Sequence, residues 1–290
     1  MNSFMFAGFT RKQIKTKETT INLVQGGSGY PVLLLHGYPQ THVCWHRVAP
    51  KLAERFTVIC PDLRGFGDSG KPPGDPEHLA YSKRVMAADQ VEVMQNLGFR
   101  EFAVVGHDRG ARVAHRMALD HAEKIARLAL LDIIPTDTAF ANVDKEMATT
   151  AFNWFFSIQP DDLPERLIGA ESDFYLRWIL DHWAGTKGAF AAEALAEYLR
   201  CFDTAAIRSS NEEFRAAATI DLAHDEADQE RKISCPTLVL WSLTSWTKFD
   251  VLEVWRARAE DVQGAAFDCG HFLPEEDPER TAAELIRFLS

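Results

Sequence analysis

In the run VVGHDRGAR, residues 104–112, Asp108 stands between Gly106 and Gly110 directly after an apolar stretch. Small residues two places to either side let a strand turn sharply into a helix and lift the central side chain above a sheet, a bend that usually carries serine. Here it carries a carboxylate. Two more residues complete a nucleophile–acid–base order. Asp132, in LLDIIP, ends the next apolar run, and His271, in DCGHFLPEE, lies near the C-terminus.

The carboxylate narrows the chemistry. A serine attacking a saturated carbon would make an ether, which an activated water cannot cleave. An aspartate makes an ester, which it can. Asp108 therefore points to displacement at an sp³ carbon, either a carbon–halogen bond or an epoxide. It needs no deprotonation before attack, so His271 would act in the second step, taking a proton from the water that hydrolyses the ester. Asp132 would hold the other imidazole nitrogen. Asp250, in SLTSWTKFD, is the rival acid. The turn His36-Gly37-Tyr38-Pro39 can aim the Tyr38 amide into the site, and with the Arg109 amide would form an oxyanion hole. Arg109 and Arg112 follow the aspartate closely, and a guanidinium fork matches a carboxylate. A substrate carboxylate at about 4 Å from Asp108 would be repelled by roughly 4 kcal/mol at an effective dielectric near 20. Two arginines and a helix N-terminus offset a penalty of that size. The competing reading of both arginines is structural ion pairing.

The elements that would position these residues read as alternating strands and helices. TTINLVQGGSGY, PVLLLHG (31–37), FTVIC, FAVVGHD, IARLALLDI (125–133) and CPTLVLWSL (235–243) have the short apolar form of buried strands. SKRVMAADQVEVMQNLG (82–98) is spaced as a helix, with Ser82 placed to cap its start and Gly98 its end. RGARVAHRMALDH is the helix after the elbow. Such alternation implies an α/β fold, a mostly parallel sheet with helices on both faces. It breaks between about 135 and 220. That stretch, with FNWFF and AFAAEALAEYLRCF, reads as an inserted helical cap. The expected division is a core of 1–135 and 221–290 with a cap of 136–220.

A net charge of −11 argues against nucleic acid and anionic membranes as partners. Five scattered cysteines without a C-x-x-C pair signal neither a disulfide framework nor a zinc ribbon, and fit a reduced, cytoplasmic setting. The N-terminus lacks the apolar region of a secretory leader, and no stretch approaches a membrane span. His42 and His46 are four apart, yet HVCWH lacks the glutamate of a zinc helix, so no metal is expected. His107 reads as a packing residue, and PEEDPER as a helix start and solvated surface.

The segments HGYPQTHVCWHRVAPKLAERF, GHDRGAR, LLDIIPT, FRAAATIDLAHD and GHFLPEE resemble the fluoroacetate (haloacetate) dehalogenases of the α/β-hydrolase superfamily over nearly the whole chain. The resemblance implies hydrolysis of a haloacetate, a small anionic substrate, to glycolate and halide without cofactor or metal, usually in a homodimer. It implies Asp108 as nucleophile, Asp132 as acid, His271 as base, and Arg109 with Arg112 as the carboxylate clamp. The halide pocket departs from the family pattern. Defluorinating members carry His-Trp in the cap and a later Tyr; here the positions hold Asn153, Trp154 and Phe214. Phe214 cannot donate a hydrogen bond, so chloro- and bromoacetate are expected to be favoured over fluoroacetate. An epoxide hydrolase using the same aspartate is the alternative. Arg109 argues against a haloalkane dehalogenase, for which a tryptophan is expected there.

Overall fold

The computed structural model describes residues 5–290; the first four residues, on which part of the N-terminal leader reading falls, lie outside it. The strands are β1 (Thr10–Lys15), β2 (Thr20–Gly27), β3 (Tyr30–Leu35), β4 (Phe56–Pro61), β5 (Phe102–His107), β6 (Ile125–Leu131), β7 (Thr237–Ser242) and β8 (Val262–Phe267). They form one sheet in the order β1-β2-β4-β3-β5-β6-β7-β8. The pairs β1–β2 and β2–β4 are antiparallel, and the rest are parallel. Every residue of β4 and β5 is buried, as expected of strands covered by helices on both faces.

The apolar pattern does not announce β1 or β8. TRKQIK is almost wholly exposed and forms an edge, where charged side chains discourage pairing with other molecules. VQGAAF, at the other edge, has only Phe267 fully buried. Neither carries the apolar run that marks a central strand.

The helices are α1 (Ala49–Leu52), α2 (Lys83–Asn96), α3 (Arg109–Asp120), α4 (Thr136–Ala141), α5 (Lys145–Thr150), α6 (Phe152–Ser157), α7 (Leu163–Ala170), α8 (Ser172–Trp183), α9 (Ala192–Cys201), α10 (Thr204–Ala218), α11 (Ile220–Ala227), α12 (Val251–Arg256), α13 (Leu273–Glu276) and α14 (Pro278–Leu289). Ser82 caps α2 by accepting the Val85 amide, and Gly98 follows that helix with a φ of +90°, which glycine adopts without steric cost. Helices α4–α11 all lie between β6 and β7. The division expected at 220/221 falls inside α11, because that helix starts at Ile220. Asp221 ties it to the core: its carboxylate accepts the Lys83 amide at 2.9 Å and the Lys83 ammonium at 3.1 Å. Among the described residues, no helix is long and apolar enough to cross a membrane.

Candidate active site

Asp108 sits at the bend between β5 and α3 with φ 48° and ψ −118°. That conformation is unfavourable for a non-glycine residue, by about 1–3 kcal/mol, and is held by the packing around it. Glycines make the bend sterically feasible. A Cβ on Gly37 would lie 2.5 Å from the Asp108 Cβ, and one on Gly110 would lie 2.3 Å from the His36 carbonyl oxygen. The Tyr38 amide donates to Asp108 Oδ1 at 2.9 Å. No comparable bond to this carboxylate comes from the Arg109 amide.

The loops after β6 and β8 bring Asp132 and His271 to the same place. His271 Nδ1 lies 2.6 Å from Asp132 Oδ2, and its Nε2 lies 3.6 Å from Asp108 Oδ2. Among the described residues Nε2 has no hydrogen-bond partner, and it faces Asp108 across that gap. Asp132 is firmly seated. Its Oδ1 accepts the Ser242 amide at 2.9 Å, and its Oδ2 accepts the Ser245 hydroxyl at 2.7 Å. The rival Asp250 instead caps α12 by accepting the Glu253 amide.

These contacts set the protonation states. Burial alone would raise the Asp108 carboxyl, but contact with His271, then the nearby Arg109, holds it well below the usual carboxylate range. Burial would lower His271, yet its contacts with Asp108 and Asp132 raise it to about 10. His107 is lowered to about 4 by burial, with further depression by the neighbouring His271. Its Nε2 lies 2.8 Å from the His271 carbonyl oxygen, so the neutral ring donates there and steadies the His271 loop.

The two arginines are not equivalent. Arg109 is bound on one edge: its Nε lies 2.6 Å from Glu213 Oε2, as does its Nη2. Its Nη1 has no partner among the described residues. Among the described residues, Arg112 has no carboxylate partner. Its Nη1 donates to the Ile134 carbonyl at 3.1 Å and the Thr136 hydroxyl at 2.8 Å, while Nε and Nη2 are buried and unpaired. Burial, then repulsion from Arg109, lowers Arg112 to about 10. Nε and Nη2 form the edge of a guanidinium that grips a carboxylate side-on. The ionic reading thus describes Arg109 in large part, and Arg112 not at all.

A cavity of about 350 Å³ opens onto Asp108 and His271 and is also walled by Met147, Trp154, Trp183 and Trp246. Arg109, Arg112, Asn153, Phe214 and Tyr38 are buried outside that wall. Trp154 belongs to both regions, since its ring centre lies 4.7 Å from the Arg112 guanidinium and 5.6 Å from that of Arg109. Phe214 stacks on Arg109 at 4.2 Å and meets Tyr38 edge-on at 5.1 Å. Asn153 is fully buried, and neither its amide nitrogen nor its oxygen has a protein partner.

Two glutamates escaped sequence reasoning. Glu213 is fully buried and holds both Arg109 and the Lys83 ammonium. In NEEFRA it looks like any solvated helical charge, although counting from Ile207 and Ser210 places it on the buried face of α10. Glu276 corrects the reading of PEEDPER as solvated. Its carboxylate accepts the amides of Gly270 (2.9 Å) and Phe272 (3.0 Å), which flank His271, and those of Gly185 and Thr186 after α8. Glu275 beside it is also buried, bound to the Tyr198 hydroxyl. The partners of Glu213 and half of the amides bound by Glu276 come from distant segments, which no local pattern records.

The model of the alpha/beta hydrolase fold matches residues 30–278. A fluoroacetate dehalogenase from Burkholderia sp is 45% identical over 290 residues, covering 99% of this chain and 95% of that protein. The chain belongs to the fluoroacetate dehalogenase family of α/β hydrolases. The hydrolase is also 33% identical to a soluble epoxide hydrolase from Corynebacterium sp. (strain C12), over 99% of both chains. A solved α/β hydrolase from Nostoc sp PCC 7120 superposes with a TM-score of 0.97 at 56% identity, covering 98% of this chain and 99% of the other.

Proposed function

We propose that this hydrolase cleaves the carbon–halogen bond of a small 2-halocarboxylate, chloro- or bromoacetate in preference to fluoroacetate. The observation that carries this reading is Arg112: one turn of α3 after Asp108, a buried guanidinium that has no carboxylate partner among the described residues and an unpaired Nε/Nη2 edge. Such a charge calls for an anionic ligand. A neutral haloalkane or epoxide would leave it unpaired.

The substrate carboxylate lies against the Arg112 edge and Arg109 Nη1. Asp108 Oδ1 is held by the Tyr38 amide, which leaves Oδ2 to attack the halogen-bearing carbon. The new C–O bond forms as the C–halogen bond breaks, and the halide departs with the bonding pair. Asn153 offers it an N–H, and Trp154 is the second expected donor. Alkylation removes the Asp108 charge that held His271 protonated, so the imidazole gives its proton to solvent, the one proton the overall reaction releases, and becomes the base. Water then attacks the Asp108 carbonyl carbon and passes its proton to Nε2. The Tyr38 amide steadies the developing oxyanion. The tetrahedral intermediate then breaks the bond between the Asp108 carbonyl carbon and the substrate oxygen, which takes the proton back from His271 and leaves as glycolate, while the remaining Asp108 carboxyl proton passes to His271 and restores the carboxylate.

The epoxide reading has one observation in its favour: the Tyr38 and Tyr175 hydroxyls are 3.4 Å apart, a pair that could protonate an opening oxygen. Burial pushes Tyr175 up to about 12 and Tyr38 upward as well, which weakens both as acids. Tyr198 is taken by Glu275. Halide release from fluoro-, chloro- and bromoacetate, measured beside styrene oxide opening, tests the proposal. Chloro- and bromoacetate turnover exceeding both others is expected; diol formation without halide release overturns it.

A further inference from the structure

The mouth of the active-site cavity poses an electrostatic problem for an anionic substrate. The protein carries a net charge of −11. Asp144 and Glu146, at the start of α5, line the cavity, and Lys248 is the sole lysine or arginine among its lining residues. The Lys248 ammonium contacts Asp144 and lies 2.9 Å from Glu146. It thereby joins α5 to the loop after β7. That loop also seats Asp132, through the Ser245 hydroxyl at 2.7 Å and by the Trp246 indole, which donates to the Asp132 carbonyl at 3.1 Å.

We propose that Lys248 is the entry residue for anionic substrate: it offsets one of the two acidic charges at the mouth and hands the anion inward to the buried arginines. The pair is solvent-exposed, so it adds little to stability. Its effect falls on local anion concentration and entry, where charges at a cleft mouth act strongly and salt screens them. An incoming carboxylate competes with Asp144 and Glu146 for the ammonium, which loosens the tie between α5 and the loop as the substrate passes. The inference rests on the 2-halocarboxylate reading only for the identity of the anion.

Lys248→Gln should lower kcat/KM for chloroacetate roughly threefold to tenfold with kcat unchanged, and the deficit should vanish near about 0.5 M salt. Lys248→Arg should restore the wild-type value, and Asp144→Asn with Glu146→Gln should raise kcat/KM. A second readout needs no turnover. Trp154, Trp183 and Trp246 line the cavity, so Lys248→Gln should reduce quenching of tryptophan fluorescence by iodide while quenching by neutral acrylamide stays the same. Unchanged iodide quenching and unchanged kcat/KM across salt overturn the proposal, as does a loss of kcat that persists at high salt, which marks damage to the Asp132 loop. If wild-type protein releases no halide from any haloacetate, the function reading fails, and iodide quenching still decides the role of Lys248.

Discussion

Arg109 and Arg112 are three residues apart on one helix, yet their removal should act on stability in different ways. Arg112→Met removes a buried charge that has no carboxylate partner among the described residues. Lowering its guanidinium to about 10 from the usual 12.5 corresponds to about 3 kcal/mol of disfavoured charge. Its bonds to the Ile134 carbonyl and Thr136 hydroxyl, and its stacking on Trp154, return about 3 kcal/mol. These are of the same order, so Arg112→Met should cost the ligand-free protein clearly less than Arg109→Met. Arg109→Met instead strands Glu213, fully buried, with only Lys83 to balance it. Breaking a buried pair from one side costs about 3–5 kcal/mol, or roughly 6–10 °C in Tm for a chain of this size. Thermal melts of both variants, with and without saturating glycolate, make the comparison. Glycolate should raise the wild-type Tm and leave that of Arg112→Met unmoved, since the side-on edge is gone. An Arg112→Met melt as depressed as that of Arg109→Met would refute the reasoning, because Arg112 would then be a structural ion and not one kept open for a ligand.

Three further outcomes are expected. His271→Ala should stop turnover after the first step, leaving Asp108 esterified; intact-mass spectrometry after chloroacetate should find the protein heavier by one carboxymethyl group, and an unmodified protein counts against Asp108 as nucleophile. Asn153→His with Phe214→Tyr should raise fluoride release from fluoroacetate by at least about tenfold, through one added donor at 214 and a longer, ionisable one in place of the amide at 153, read with a fluoride electrode; no gain means that these donors are not what limits defluorination. Because the folded protein raises His271 to about 10, its stabilising contribution is full below the unfolded value near 6.5 and is lost as pH rises through about 10. Wild-type Tm should therefore fall between about pH 6.5 and 10 by an amount absent from His271→Ala, and parallel curves for the two proteins would contradict the shift.

Several features of this molecule were legible in the chain before any folding. Continuous apolar runs fall on the central strands because a parallel strand is buried on both faces. Asp108 could be singled out because its neighbours Gly106 and Gly110 are the residues a sharp elbow requires, and that requirement is local. The edge strands β1 and β8 stayed hidden because an edge needs little apolar surface. Which aspartate serves His271 was open in the sequence, and only the tertiary arrangement separates Asp132, 2.6 Å from the ring, from Asp250 on its helix cap. The same holds for the arginines. Their spacing suggests a symmetric clamp, whereas burial of Glu213 from α10 against one of them makes the other the open cation. A charge acquires its role from what it meets across the fold, and residues about a hundred positions apart leave no periodic trace of that meeting.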